Sequence, residues 1–376
     1  MPWVLLVNKQ ILVKVLHVLK YLLGPATLVL VVWYSWHKEV DGKEVGVSSI
    51  FESEPHWGAL ILACAICSAS MLLTFIRWYV LVRAQDMPFK LRNAIQLGML
   101  GTFFSNFLPG SVTGDIPKMV FMAREQSRRT VAVATIMIDR IVGLVGLVWL
   151  AAMFGCIFWF TGALETMVKA PEGIQKLEFI VRTTWILGGG SIAFWILLGV
   201  LPLSTATKWI SQVERIPKVG HSLAELCRAT MMYRSRGRAV GLAMILAMIG
   251  HTGFALTFYY CSLSVNPSEG IPTLGTHFLI VPVGATIQSV MPTPGGMGFG
   301  ELAFGLLYKW VGGVDDEGIK ATIMQRFVNW LLAAAGFIVY WRMGAALKAA
   351  AEAQKAAASE KTGPIDSNML EPVRSS

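Results

Sequence analysis

Six stretches of the chain are apolar for long enough to cross a bilayer: about 16–36, 58–82, 130–160, 181–203, 238–262 and 319–341. A spanning helix needs about 20 such residues, since each rises about 1.5 Å and the hydrocarbon core is about 30 Å thick. Two further apolar regions are interrupted: LGMLGTFFSNFLPGSVTGDIPKMVFMA (97–123) and HFLIVPVGATIQSVMPTPGGMGFGELAFGLLYKWV (277–311). Proline lacks an N–H and clashes with the preceding turn, while glycine permits positive φ. Helices therefore stop at PGSVTGD and PTPGGMGFGE. Lipid cannot satisfy the backbone freed there, so each knot must be buried in protein or line a wet cavity. The pattern predicts an all-α polytopic membrane protein of six full spans plus two Pro/Gly-broken helical hairpins, with two closely spaced full spans per broken region as the alternative.

Charge sets the sides. Lys9, Lys14 and Lys20 precede the first span, Arg77, Arg83, Lys90 and Arg92 follow the second, and Arg124, Arg128 and Arg129 follow the first knot. Segment 204–237 carries Lys208, Arg215, Lys218, Arg228, Arg234 and Arg236, and Arg238 comes next; Arg342, Lys348, Lys355 and Lys361 follow the last span. The remaining loops are acidic, mixed or free of Lys and Arg. If the hairpins do not cross, every basic segment falls on the cytoplasmic side, both termini included. Paired crossings give the same sides. The long first apolar run reads as an uncleaved span, and the expected location is the inner cell membrane. Residues 1–345 read as one transmembrane domain, and 346–376 as an Ala-rich, then disordered, cytoplasmic tail. In 204–237, Val219, Leu223 and Leu226 share one helical face beside Lys218 and Arg228, which predicts an amphipathic helix on the anionic inner leaflet.

Composition narrows the function. Hydrophobic residues are 55% of the chain and charged ones 15%, against about 25% charged in soluble domains. The net charge of +9 could suggest nucleic acid, but the basic residues sit at the ends of apolar runs and form no patch interleaved with aromatics. Cys64, Cys67, Cys156, Cys227 and Cys261 are odd in number and mostly within apolar runs, which argues against a disulfide framework. Cys64 and Cys67 form a C-x-x-C in mid-run that reads as helix packing, and no Cys/His pair at zinc spacing accompanies it. No cofactor or metal is expected.

The two broken regions share an order of features: a Pro/Gly knot, a glycine followed by an acid (Gly114-Asp115, Gly300-Glu301), a short apolar stretch, then a span with an arginine near its start. ATIMIDR (134–140) and ATIMQR (321–326) follow them. Three crossings lie between, so the halves read as an inverted repeat, a transporter design in which broken helices meet near the midplane. Ionisable groups within spans are costly and face partners or wet cavities. Asp115, Lys118, Asp139, Arg140, Glu301 and Arg326 are the candidates. In one reading the arginines hold a phosphate through planar fork pairing, helix ends at the knots add N–H donors, and the acids balance them or hold a cationic headgroup. In the other, Asp115, Arg140, Glu301 and Arg326 pair only with one another and close the bundle. Asn106, Gln288 and Asn329 could add hydrogen bonds. His251 and His277 are candidate proton carriers, with packing the alternative.

At NFLPGSVTGDIPKMVFMAR, IDRIVGLVGL and PTPGGMGFGELAFGLL the chain resembles the lysylphosphatidylglycerol synthase transmembrane family of flippase-like proteins. The resemblance covers roughly residues 10–345. It rests on Pro109, Gly110, Gly114, Asp115 and Lys118, on Asp139 and Arg140, and on Pro294, Gly295, Gly296, Gly298 and Glu301. The family more often has Glu where Asp115 and Asp139 stand, and Arg where Lys118 stands; lysine makes no bidentate phosphate contact. Nothing outside the spans is long enough for the aminoacyl-transfer domain of the fused synthases, so this chain is not expected to make an aminoacyl lipid itself. The resemblance implies lipid translocation between leaflets.

Three functions remain open to the sequence. The first is a flippase that binds an anionic headgroup between the knots; it shows no P-loop, so its motion would be passive or ion-coupled. The second is a membrane enzyme, or an accessory subunit beside a separate lipid-synthesising enzyme, using Asp115 and Glu301. The third is a small-solute or ion transporter. An oligomer is compatible with each.

Overall fold

The computed structural model describes residues 22–37, 39–40, 43–44, 46–52, 54–108, 113–125, 129–167, 171–200, 202–217, 220–265 and 270–361. Apolar helix α1 is Leu22–Tyr34. A two-residue antiparallel ladder, Glu39–Val40 with Lys43–Glu44, and the short α2, Ser49–Glu52, follow it. Then come α3 (Trp57–Arg83), α4 (Leu91–Phe107), α5 (Ile116–Glu125), α6 (Arg129–Thr161), α7 (Ala163–Met167) and α8 (Pro171–Val200). The second half is α9 (Leu203–Glu214), α10 (Gly220–Met231), α11 (Gly237–Ser264), α12 (Leu274–Val290), α13 (Phe299–Trp310) and α14 (Asp315–Lys361).

Among the described residues, five helices are long and apolar enough to cross a membrane, within α3, α6, α8, α11 and α14. The expected first span, 16–36, lies only partly within the described residues, as the shorter α1. The span expected at 181–203 begins earlier. Pro171 opens α8, where its missing N–H costs nothing, and Pro202 follows its end. Glu178 and Arg182 pair at 3.1 Å on its exposed face, so the polar first turns extend a helix that hydrophobicity alone would start later. At the other end, α14 runs on through the Ala-rich stretch to Lys361; residues 362–376 lie outside the described part.

Both apolar regions break where the knots are: α4 ends at Phe107 and α12 at Val290. The helices flanking the two breaks pack on the long helices α6 and α14. The long helices α3 and α11 lie against each other, α4 packs on α14, and α12 packs on α6. Small residues permit the close approaches. A Cβ on Gly253 would sit 2.1 Å from Ser70 Oγ, and one on Gly336 would sit 2.3 Å from the Met99 carbonyl oxygen. Where lipid removes the hydrophobic drive between helices, such backbone proximity is what van der Waals packing can use. Phe154 on α6 stacks on Phe278 of α12, with ring centroids 4.5 Å apart. Cys67 and Cys261 are buried between α3 and α11, and all five cysteines are free.

The segment expected as one amphipathic helix is two. Pro217 and the turn before it separate α9 from α10, and Arg228 bridges back to Glu214. Val219 lies outside the described residues, Leu223 is exposed, and Ala224 and Ala229 are buried. Ala229 packs with Leu81, Ala134 and Ile138, because α10 lies close on α6 and only small side chains fit between. Tyr233 closes the joint by donating its hydroxyl to the Leu81 carbonyl at 2.9 Å.

Candidate functional site

In the first knot, Pro109 and Gly110 lie outside the described residues. Beyond them a single 3-10 turn, Thr113–Asp115, leads into α5. Gly114 sits flush on α4: a Cβ there would be 2.0 Å from Ser105 Oγ and 2.4 Å from the Gly101 carbonyl oxygen. That contact presses the adjacent Asp115 into the bundle, where its residue is 4% exposed. Arg140 Nε, from α6, donates to Asp115 Oδ2 at 2.5 Å, and Lys118 Nζ donates to Oδ1 at 3.2 Å. The same ammonium lies 5.2 Å from the centroid of the Trp78 ring.

The second knot is a 3-10 turn, Pro294–Gly296, followed by Gly298, whose φ of +82° caps the start of α13. A Cβ at Gly298 would be strained by that φ and would sit 2.4 Å from Thr27 Cβ. One carboxylate fastens this knot. Glu301 Oε2 accepts the Gly298 N–H at 2.8 Å, and Oε1 accepts Arg326 Nε from α14, also at 2.8 Å. Arg326 Nη1 donates to the Gly295 carbonyl at 3.2 Å. The acid and the arginine are 25 residues apart in both knots. The four charges thus pair, acid with arginine, within each half.

Asp139 takes another partner. Its Oδ1 accepts Arg77 Nε from α3 at 2.8 Å, with both side chains buried. Successive residues on a helix diverge by about 100°, so Asp139 and Arg140 serve different sides of α6. Arg77 had counted only as a loop charge. The signal that would have found it was its place inside the apolar run 58–82.

The second knot and the end of α4 border a polar cavity of about 250 Å³. Ser105 and Asn106 of α4, Gly295 and Gly296 of the second knot, and Arg140 and Arg326 line it. Four carboxamides face it: Asn106, Gln288, Gln325 and Asn329. A second, larger hollow of about 830 Å³ adjoins it and contains Gly114, Asp115, Lys118, Asp139 and Arg77. Its walls are mostly apolar, with Met137, Leu144, Leu147 and Val290 among them. Ser105, Asn106, Arg140 and Ser289 line both. Arg140 therefore stands where polar cavity and apolar trough join, with its side chain 41% exposed although its Nε is paired.

Of the expected residues, Asn106, Arg140, Gly295, Gly296 and Arg326 meet in the polar cavity, and Gly114, Asp115, Lys118 and Asp139 in the trough. Pro294, Gly298 and Glu301 line neither and hold the second knot in shape from behind. Ser105, Gln325 and Ser289 were not anticipated; no local pattern marks a serine or glutamine as cavity-facing. Both histidines lie outside these linings. His251 Nε2 bonds to the Gly143 carbonyl at 2.9 Å, and His277 bonds to the Thr273 carbonyl and to Tyr308 Oη at 2.9 and 2.7 Å.

A family model described as "Lysylphosphatidylglycerol synthase TM region" matches residues 18–336. The chain belongs to this family. The match takes in both knots, both acid–arginine pairs and every residue of the two hollows, so the site lies wholly within the matched region. No curated protein and no solved structure matches the chain significantly. With its five candidate spans, this member of the family is a multi-pass helical membrane protein.

Proposed function

We propose that the chain is a lipid translocase, which moves a phospholipid or related headgroup between leaflets through the space between the knots. The observation that carries this reading is the position of Arg140. A polar cavity lined by guanidinium, carboxamide and hydroxyl groups suits a phosphate-bearing headgroup. The apolar trough that shares Arg140 with it suits the tails of the same molecule. Membership of a family named for a lipid synthase supports lipid as the cargo class.

The matching order of elements in the two halves supports an inverted repeat, with α3, α4, α5 and α6 answered by α11, α12, α13 and α14. In this reading α4 with α5, and α12 with α13, are hairpins entering from opposite sides, and α1 completes a sixth span. Both termini are cytoplasmic and the membrane is the inner cell membrane. The chain then acts as a translocase without chemistry of its own, and any lipid synthesis belongs to a separate enzyme.

The test is the accessibility of fluorescent phospholipid headgroups to a membrane-impermeant quencher in vesicles holding the purified protein. Wild type is expected to speed transbilayer movement, and Arg140→Ala to lose that acceleration while keeping its thermal unfolding profile. If wild type moves none of a panel of anionic and zwitterionic lipids, translocation is the wrong reading.

A further inference from the structure

A third hollow shares no lining residue with the two at the knots. Both α8 and α11 pack on α6, and between them opens a groove of about 710 Å³ floored by Trp149. One wall is α8, through Ile192, Trp195 and Ile196. The other is one face of α11 from Gly237 to Ile249, which recurs at three- and four-residue spacing. On that face a Cβ at Gly237 or Gly241 would meet nothing within 4 Å. These glycines keep no close backbone contact, so what they provide is depth. Met244 and Met248, flexible and polarizable, line the same wall and suit an adaptable apolar guest.

The mouth is chemically different. Thr230, Tyr233 and Arg234 line this end, and the exposed Arg236 and Arg238 follow in the chain. Arg236 pairs with Asp86. The basic segment 204–237 ends at this mouth, on the side the positive-inside bias makes cytoplasmic. An apolar slot with guanidinium at its membrane-surface end is complementary to a lipid with a negative headgroup. Charge decides between occupants: the one charged side chain among the lining residues, Arg234, stands at the membrane-surface end of an otherwise mostly apolar slot.

We infer that this groove is a resident-lipid site: it seats an acyl chain of one anionic phospholipid of the cytoplasmic leaflet, with the phosphate held at Arg234. The site is separate from the path between the knots and does not depend on the translocase reading.

Native mass spectrometry of the full chain tests it, using protein extracted in detergent and equilibrated with equal amounts of phosphatidylglycerol and phosphatidylcholine. Wild type is expected to retain one phosphatidylglycerol in preference. Gly241→Trp fills the slot and should lose the retained lipid. Arg234→Gln should keep a lipid while its headgroup preference falls about fivefold, the worth of one basic residue at an anionic surface. Thermal unfolding of each variant checks that it folds, and Arg234→Gln decides the matter if Gly241→Trp does not. Retention without headgroup preference in wild type, or preference unchanged in Arg234→Gln, overturns the proposal. So does a wild-type dimer that Gly241→Trp splits, which would give the groove to a second copy.

Discussion

Each knot joins a carboxylate to an arginine 25 residues later, but the two joints are built for different surroundings. At the second, the side chains of Glu301 and Arg326 are 0% and 6% exposed, and the carboxylate spends both oxygens inside the protein. At the first, Asp115 is as buried, but Arg140 opens to the cavities. Three residues past each acid the difference recurs. Lys118 sits beside Asp115, whereas Phe304 occupies the same place after Glu301, buried and stacked on Phe258 with centroids 4.1 Å apart. A repeated motif is thus nearly dry in one half and wet in the other: Arg326 only borders the polar cavity, whereas Arg140 opens to it. The nearly dry copy is a clamp, and the wet copy gives a ligand the freer approach.

Breaking the clamp should give the largest effect. Glu301→Ala leaves Arg326 buried without its counter-charge, which costs about 3–5 kcal/mol of stability. Thermal unfolding in detergent should show a large loss, and adding Arg326→Met should recover part of it, since the stranded charge is then gone. A variant that unfolds like wild type would mean that water reaches Arg326, and the comparison between the joints would fail.

Arg140→Ala should do the converse. Asp115 keeps Lys118, and the removed guanidinium is already partly in water, so stability changes little. Transport should fall about tenfold to a hundredfold, the worth of a lost hydrogen bond to a charged group at about 1.5–3 kcal/mol. Arg140→Lys should restore only part, because a lysine offers no fork. The vesicle accessibility assay reads both.

Much of this contrast could not be read from the sequence. The helix breaks were legible because Pro109 and the Pro292–Gly300 run forbid a continuous helix whatever surrounds them. The acids and arginines were legible because charge inside an apolar run is rare and needs a reason. That Arg326 is buried and Arg140 open was not, since both follow the same ATIM run and differ only in what other helices bring to them. The partner of Asp139 was not legible for a related reason: Arg77 lies on α3, 62 residues away in the chain. The segment 204–237 read as one helix because only Pro217 marks the break between α9 and α10.

A subtler change tests whether the acids are matched to their joints. Glu301 reaches two partners, Gly298 N–H and Arg326, from one side chain. Glu301→Asp shortens it by one methylene and should lose one of them, at about 1–3 kcal/mol for a charge-assisted bond. Asp115 meets two long cationic side chains, Lys118 and Arg140. Asp115→Glu should then be tolerated within about 1 kcal/mol, since long side chains can adjust. Equal losses in unfolding temperature for the two swaps would show that the joints are equally rigid.

Lys118 should matter least. Its ammonium bonds Asp115 at 3.2 Å and lies over Trp78, contacts worth about 0.5–1 kcal/mol where the cation is partly solvated. Lys118→Gln keeps a donor for Asp115 and leaves Arg140 in place, so transport should fall by no more than about fivefold at that energy. Lys118→Phe is the sharper variant, because it writes the second knot's chemistry into the first. If the wet joint depends on a cation at that position, the phenylalanine should reduce transport well beyond the glutamine while leaving the unfolding temperature unchanged or raised. If instead Lys118→Gln is as damaging as Arg140→Ala in the vesicle assay, the two cations hold the cargo jointly, and Arg140 alone is not what separates the open knot from the closed one.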